Sequence, residues 1–277
     1  MTFPRQRRLR LGQTAETCAG PGAPRVRLFA PVGQGPFATF VRDELTARGM
    51  EAYAVPGARE DSGAAICLIE PGGERTMLTL PGIERSFEDA WFADFERDVD
   101  LTAFSAINLC GYEVGAEGGD VLLAFAERHP ELELWFAPGP MLKTIAPARI
   151  ARVNALRPVW HLNAAEVLAH TGKCDVHAAG QALVDECGNT VVVTAGGEGC
   201  YVFRPGAEVL SVPTTPVRPV DTIGAGDAHL GCVMVARAAG RTWEEACALA
   251  NRVSGAICAI EGATLADEAF AALGLSL

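Results

Sequence analysis

Val159-Trp160-His161-Leu162-Asn163 runs directly into Ala164-Ala165-Glu166-Val167-Leu168-Ala169-His170-Thr171, and beyond residues 176–187 the chain reaches Thr190-Val191-Val192-Val193-Thr194-Ala195-Gly196. Two brief apolar runs thus flank two stretches of helical period. A strand that is apolar on both faces needs cover on both sides, as in a parallel sheet. Working outward, the same alternation predicts strands over 26–31, 105–110, 132–137, 159–162 and 190–194. It predicts helices over 36–48, 117–127, 147–156, 164–171, 176–187, 224–239, 242–260 and 266–273. Strands that alternate with helices imply parallel pairing through crossovers. Segments 200–204 and 208–212 then read as short antiparallel additions at one edge. The expected fold is α/β, a three-layer α/β/α sandwich with a mostly parallel central sheet.

One segment breaks this rhythm. Gly63 to Glu70 and Arg75 to Leu80 flank Pro71-Gly72-Gly73-Glu74, so two strands meet at a tight turn with no helix to cover them. Such a hairpin is a candidate lid or dimer surface. Its apolar Ile66, Leu68, Met77 and Leu80 and its open strand edges predict a homodimer formed through it. Residues 1–25 differ again, with arginines at 5, 7, 8 and 10, no acid before Glu16, and neither a strand nor a core helix in prospect. The domain reading is therefore an atypical Arg-rich segment, 1–25, followed by one α/β domain, 26–277, with a lid insertion around 63–80.

Composition narrows the function classes. The 277 residues are 49% apolar and only 7% aromatic, which points to a core filled mainly by Ala, Val, Leu and Ile and excludes general disorder. The 23 basic and 34 acidic side chains leave a charge of −11, without the electrostatic footprint of a nucleic-acid or anionic-membrane binder. Any phosphate site must then be local. No uncharged apolar run approaches the ~18 residues that span a bilayer, and no secretory h-region opens the chain, so a cytoplasmic enzyme is expected. The nine cysteines form no C-x2-4-C pair and read as small buried hydrophobes. The five histidines lack metal-site spacing.

The strongest chemical signal is Asp221-Thr222-Ile223-Gly224-Ala225-Gly226-Asp227, followed by Ala228-His229-Leu230-Gly231 and a long helical period. Small residues at Gly224, Ala225 and Gly226 let backbone N–H groups converge at a helix N-terminus, where unpaired donors and the helix dipole favour an anion. A carboxylate at Asp227 would repel a statically bound phosphate. It makes sense as a base that takes the proton of an attacking hydroxyl. A plain helix start and a dinucleotide loop are the alternatives, and the proline-rich 212–220 is not a first dinucleotide-fold strand.

This signature before a helix resembles the C-terminal motif of the ribokinase-like (PfkB) family of carbohydrate and nucleoside kinases. Asn163-Ala164-Ala165-Glu166 is similar to the family's N-x-x-E motif, and Thr194-Ala195-Gly196-Gly197-Glu198-Gly199 to its T-x-G-x-x-G turn, in the family's order. The likeness extends from about Arg25 to the C-terminus, with Glu74-Arg75-Thr76 in the hairpin. It implies an ATP-dependent kinase that phosphorylates a hydroxymethyl group of a carbohydrate, with Asp227 as base and residues 224–226 as the anion hole. It also implies Mg2+ oriented through water by Asn163 and Glu166, although Asn at an N-cap with Glu three residues on is equally an ordinary capping box. Thr194, Gly196 and Gly199 are implied to meet the nucleotide, or else to form only a tight turn. Asn251 is either a nucleotide contact or a hydrogen-bonded core amide. Asp221 and the Ile223 carbonyl correspond to the part of the signature that helps hold a monovalent cation such as K+. Glu113, after a strand's C-terminal end, is a candidate substrate contact or a solvated loop acid. His229 stands where the family usually has an aromatic side chain and reads as core packing.

The chain departs from the family at its start. Residues 1–25 contain no Asp, and the family's Gly-Gly-x-x-x-Asn segment is missing. That leaves an alternative function, a catalytically impaired member that binds nucleotide or a partner without efficient turnover. On that view the chain binds ATP with Mg2+ but phosphorylates sugars poorly, and an upstream extension supplying an Asp-bearing strand and a Gly-Gly-x-x-x-Asn helix start would restore activity. A dinucleotide oxidoreductase is a remote third class.

Overall fold

The computed structural model describes residues 26–47, 50, 53–69 and 75–273, and the Arg-rich segment 1–25 and the hairpin turn 71–74 lie outside them. The chain divides into two compact units, Arg27–Ala103 with Tyr112–His129, and Phe104–Gly111 with Pro130–Leu277.

In the first unit β1 (Pro31–Val32) pairs in parallel with β2 (Tyr53–Ala54). The strand expected over 26–31 is therefore displaced: residues 26–30 form no regular element, and strand pairing begins at Pro31. Helix α1 (Pro36–Thr46) opens on a proline, whose missing N–H costs nothing at the first helical position. Its N-cap, Gly35, has no side chain to offer, and the cap comes from a distance. The Asp61 carboxylate accepts the Phe37 and Ala38 N–H groups at 3.2 and 2.7 Å. A Cβ on Gly35 would stand 2.4 Å from that carboxyl group, which explains the glycine.

The hairpin is present. Strand β3 (Ala64–Ile69) runs antiparallel to β4 (Arg75–Leu80), with Ile66 opposite Leu78, Leu68 opposite Thr76 and Ala64 opposite Leu80. At its root Glu84 accepts the Gly63 and Gly82 N–H groups at 2.8 and 3.0 Å. Ile66, Leu68, Leu78 and Leu80 share a face by this register, each about half exposed. Met77 pairs with Cys67 and falls at the alternate position, so it does not belong with Ile66, Leu68 and Leu80; Leu78 takes its place.

Helix α2 (Asp89–Asp98), which the sequence reading left unassigned, and α3 (Gly119–Arg128) complete this unit. Its core is aromatic: the Phe92 ring lies 4.9 Å from Phe29, 5.9 Å from Phe87 and 4.7 Å from Phe125 between centroids. Buried aromatics occur in the second unit as well, among them Trp135, Phe136, Trp160 and Phe203.

The second unit carries the sheet. Strands β5 (Ala106–Cys110), β6 (Glu133–Ala137), β7 (Val159–Asn163) and β8 (Val191–Thr194) pair in parallel in chain order, and β9 (Cys200–Phe203) and β10 (Leu210–Val212) extend the sheet antiparallel at one edge. Between them run α4 (Pro147–Ala155), α5 (Ala164–Thr171) and α6 (Val176–Cys187), and after them α7 (Ala225–Ala238), α8 (Trp243–Cys258) and α9 (Asp267–Ala271). Helices cover both faces. Val192, Cys200 and Val202 pack with Val233, Ala250 and Val253 of α7 and α8 in one core cluster. On the opposite face α6 comes so close that a Cβ on Gly180 would lie 2.4 Å from the Phe203 ring. This is the α/β sandwich with a mostly parallel sheet that the alternation of strands and helices predicts.

Helices α5 and α6 start and stop where the sequence says they should. Asn163 and Asp175 cap their N-termini, accepting the N–H groups of Glu166 and Ala178, and left-handed Gly172 and Gly188 end them. No helix among the described residues is long and apolar enough to cross a membrane.

Candidate active site

The segment entering α7 is held from below by one buried acid. Asp221 Oδ1 accepts the Ile223 N–H at 2.9 Å and Oδ2 the Gly262 N–H at 3.3 Å, while the Val220 and Asp221 N–H groups reach the Cys258 carbonyl at 2.8 and 3.3 Å. Burial, with the Asp221 carboxylate nearby, pushes the Cys258 thiol up. Gly224 is the N-cap of α7 at φ 80°, ψ −6°, a left-handed conformation that favours glycine. A Cβ there would also stand 2.6 Å from the Ala263 Cβ. Ser254 Oγ donates to the Ala225 carbonyl at 3.0 Å and ties α8 to the first turn.

Residues 225, 226 and 227 are the first three of α7; the Ala225 N–H donates to the Thr222 carbonyl at 3.4 Å, and a helix's first turn is where backbone N–H groups lack an intrahelical partner. A Cβ on Gly226 would meet no protein atom within 4 Å. Asp227, half-buried, is the third helical residue. An acid in a first turn is also favoured by the helix dipole. The arrangement offers backbone donors to an anion with a carboxylate beside them.

Two other motifs meet at one end of the sheet. In the β7–β8 ladder Asn163 is the register partner of Thr194, so the Asn163–Glu166 segment and the Thr194–Gly199 turn leave neighbouring parallel strands side by side. The capping box is real: Glu166 N–H donates to Asn163 Oδ1 at 2.9 Å, and Asn163 N–H to Glu166 Oε2 at 3.0 Å. Burial raises the Glu166 carboxyl above its ordinary value, against the lowering effect of the Asn163 hydrogen bonds. A carboxylate whose charge is left poorly solvated is a favourable oxygen ligand for a hard cation, and the Asn163 and Glu166 oxygens fit Mg2+, which keeps most of its waters.

The turn from Thr194 to Gly199 closes through Ala195 N–H donating to the Gly199 carbonyl at 2.8 Å. Gly199, at φ 99° and ψ −127°, is fixed by the fold, because a Cβ would lie 2.1 Å from the Val212 carbonyl oxygen. Nothing lies within 4 Å of the Cβ positions of Gly196 and Gly197, so this stretch of backbone faces open space.

Asn251 is on α8 and 6% exposed. Its Nδ2 donates to the Val212 carbonyl at 3.0 Å and approaches that of Pro213 at 3.4 Å, while Oδ1 lies 3.2 Å from His229 Nε2. The amide is thus engaged within the protein, as the core reading of this residue expects. His229 Nδ1 in turn lies 2.9 Å from His161 Nε2. His161 escaped sequence reasoning entirely, since an isolated His in an apolar strand carries no spacing signal. Burial, then the neighbouring His229, holds its pKa well below the ordinary value. Glu113 follows β5 in the helical turn Gly111–Val114, half-buried, and belongs to the other compact unit.

Comparison with known proteins gives this geometry a context. The uncharacterized sugar kinase YegV of Escherichia coli (strain K12) is 29% identical over 81% of this chain and 69% of its own length. Among solved structures, adenosine kinase from Sinorhizobium meliloti superposes with a TM-score of 0.75 at 22% identity, covering 95% of this chain and 81% of that one. Aminoimidazole riboside kinase from Salmonella enterica, complexed with aminoimidazole riboside and an ATP analog, does so with a TM-score of 0.73 at 20% identity, covering 93% and 86%. These likenesses fix a ribokinase-like fold. Residues 20–269, nearly the whole chain, match the family model of pfkB family carbohydrate kinases, and the protein belongs to that family.

Proposed function

We propose that this sugar kinase transfers the γ-phosphoryl group of ATP to a hydroxymethyl group of a carbohydrate. The observation that carries the reading is the start of α7, where Gly226 leaves open space beside first-turn N–H donors and Asp227 is the next residue. As the acceptor oxygen bonds to phosphorus, its proton passes to the Asp227 carboxylate and ADP leaves. The N–H groups of residues 224–226 meet the negative charge on the phosphoryl oxygens, which is most of what catalysis of this transfer requires. The open backbone of the Thr194–Gly199 turn receives the nucleotide, with Asn251 holding the neighbouring Val212–Pro213 carbonyls in place. Asn163 and Glu166 hold Mg2+ through water, and that ion, when bound, neutralises phosphate charge. The buried Asp221 carboxylate and the Ile223 carbonyl supply oxygen donors suited to a monovalent cation such as K+.

The acceptor contacts lie elsewhere: Glu113 is proposed to hold a sugar hydroxyl, and the hairpin to act as lid. Its shared apolar face of Ile66, Leu68, Leu78 and Leu80 supports a homodimer through the same element. The absence of any membrane-crossing helix among the described residues is in keeping with a cytoplasmic enzyme. The test is ATP consumption against a panel of pentoses, hexoses, sugar acids and nucleosides. Turnover of a carbohydrate at its hydroxymethyl group is expected. ATP binding without turnover of any acceptor would refute the reading in favour of an impaired, nucleotide-binding member.

A further inference from the structure

We propose that His161, His229 and Asn251 form a one-directional hydrogen-bond relay that sets the position of α7, and so act as positioning residues for phosphoryl transfer. The inference rests on the kinase reading above. His161 is on β7, two residues before Asn163, and His229 is on α7, two residues after Asp227. Asn251 on α8 joins them to the carbonyls of Val212, the last residue of β10, and of Pro213 just after it. The relay thus links the strand that ends in the candidate metal motif, the helix that starts with the candidate anion hole, and the segment against which Gly199 is packed.

Its direction follows from elementary donor and acceptor rules. Carbonyls only accept, so the Asn251 amide nitrogen donates to Val212 and its Oδ1 is left as an acceptor. His229 must then carry its proton on Nε2, directed at Oδ1. That leaves His229 Nδ1 as an acceptor, so His161 must donate from Nε2. Every bond is fixed by the next and neither ring needs a charge, which suits a site where all three residues are at most 6% exposed. Hydrogen bonds from Cys247 first, then from His229 and Asn251, hold the Cys200 thiol below its ordinary value, and as an acceptor it leaves His229 Nε2 and Asn251 Nδ2 as donors, so the direction is unchanged. Neutral relays of this kind gain from burial and tolerate no missing member.

A core that needed only volume at residue 229 would be satisfied by an aromatic ring. The relay predicts more than packing, and the two separate in a double variant. His161→Leu with His229→Phe removes both partners of one bond and strands only Asn251 Oδ1, whereas His229→Phe alone strands that oxygen and the His161 Nε2 donor together. Kinetics are measured with ATP, Mg2+ and the acceptor turned over fastest from the panel. The expected result for the double variant is a folded protein with a melting temperature no lower than that of His229→Phe alone, a KM for ATP within about twofold, and a kcat lower by about ten- to a hundredfold, the range that small misplacements of reacting groups produce. A folded double variant with wild-type kcat would overturn the inference and leave the kinase reading intact. A wild type that turns over no acceptor would overturn the kinase reading first, and the inference with it. A second readout needs no activity: 15N spectra of the wild type should show both rings as Nε2–H tautomers, and an Nδ1–H tautomer or a charged ring at neutral pH would refute the relay.

Discussion

Gly226→Ala separates what the fold needs from what the chemistry needs. Gly226 is the second residue of α7, has no left-handed backbone to protect, and has no protein atom within 4 Å of the place a Cβ would take. The fold gives no reason for a glycine there. Alanine loses less backbone entropy in a helix, so the substitution should stabilise the protein by roughly 0.5–1 kcal/mol. For a chain of this size, that is a rise in Tm of about 1–2 °C. The same methyl would occupy the space where transferred phosphoryl oxygens must meet the first-turn donors. A loss of at least about tenfold in kcat/KM is expected, equivalent to about 1.4 kcal/mol of transition-state stabilisation. Differential scanning calorimetry and a coupled ADP assay on one preparation read both quantities. Gly224→Ala is the control, since φ 80° and a Cβ contact of 2.6 Å with Ala263 should make it destabilising. A Gly226→Ala enzyme that is both more stable and fully active would refute the anion-hole assignment.

Asp227→Asn should lower kcat by about 10²- to 10⁴-fold, the usual loss of a positioned base, while the ATP KM stays within a few-fold; steady-state kinetics with retained turnover would remove Asp227 from the mechanism. Glu166→Gln preserves the capping box, because glutamine also serves at that position, yet it should raise the Mg2+ concentration for half-maximal rate, and an unchanged Mg2+ dependence would leave capping as the residue's whole role. The same variant tests the raised Glu166 pKa. The folded state binds that proton more tightly than the unfolded one, so the wild type should gain stability relative to Glu166→Gln as pH falls through the raised value toward the unfolded value of about 4.3, which denaturant titrations at several pH values would detect. Leu78→Glu, in the middle of the apolar hairpin face, should shift a dimer to monomer in sedimentation at micromolar concentration, and a wild type that sediments as monomer would end the dimer proposal.

Legibility in the sequence followed the locality of the signal. Helices α5 and α6 could be delimited because each carries its own N-cap, Asn163 or Asp175, and its own terminal glycine. Helix α2 has no side-chain cap and four acids among its ten residues, so its buried Trp91 and Phe92 do not stand out as a stripe. The strand at the start of the described chain was displaced because two register pairs do not impose a pattern on sequence. The hairpin was legible from its turn, but the register that puts Leu78 rather than Met77 with Ile66 was not. Within the candidate site, motifs contiguous in sequence could be read directly. The relay could not, because its bonds join residues 68 and 22 positions apart, and a buried histidine looks the same in sequence whether it packs or directs.

The division of the chain into two units has a consequence for how such an enzyme can change. Every residue proposed to handle nucleotide, metal or the migrating phosphoryl group lies in the unit Phe104–Gly111 with Pro130–Leu277, whereas the hairpin and Glu113 lie in the other. On the proposed reading, mutations that redraw the acceptor preference fall in a different compact unit from the transferring machinery. Selection can therefore explore new sugars while the costly part of the catalyst, its preorganised donors and base, is inherited intact. Specificity is the cheaper trait to evolve, and chemistry the conservative one.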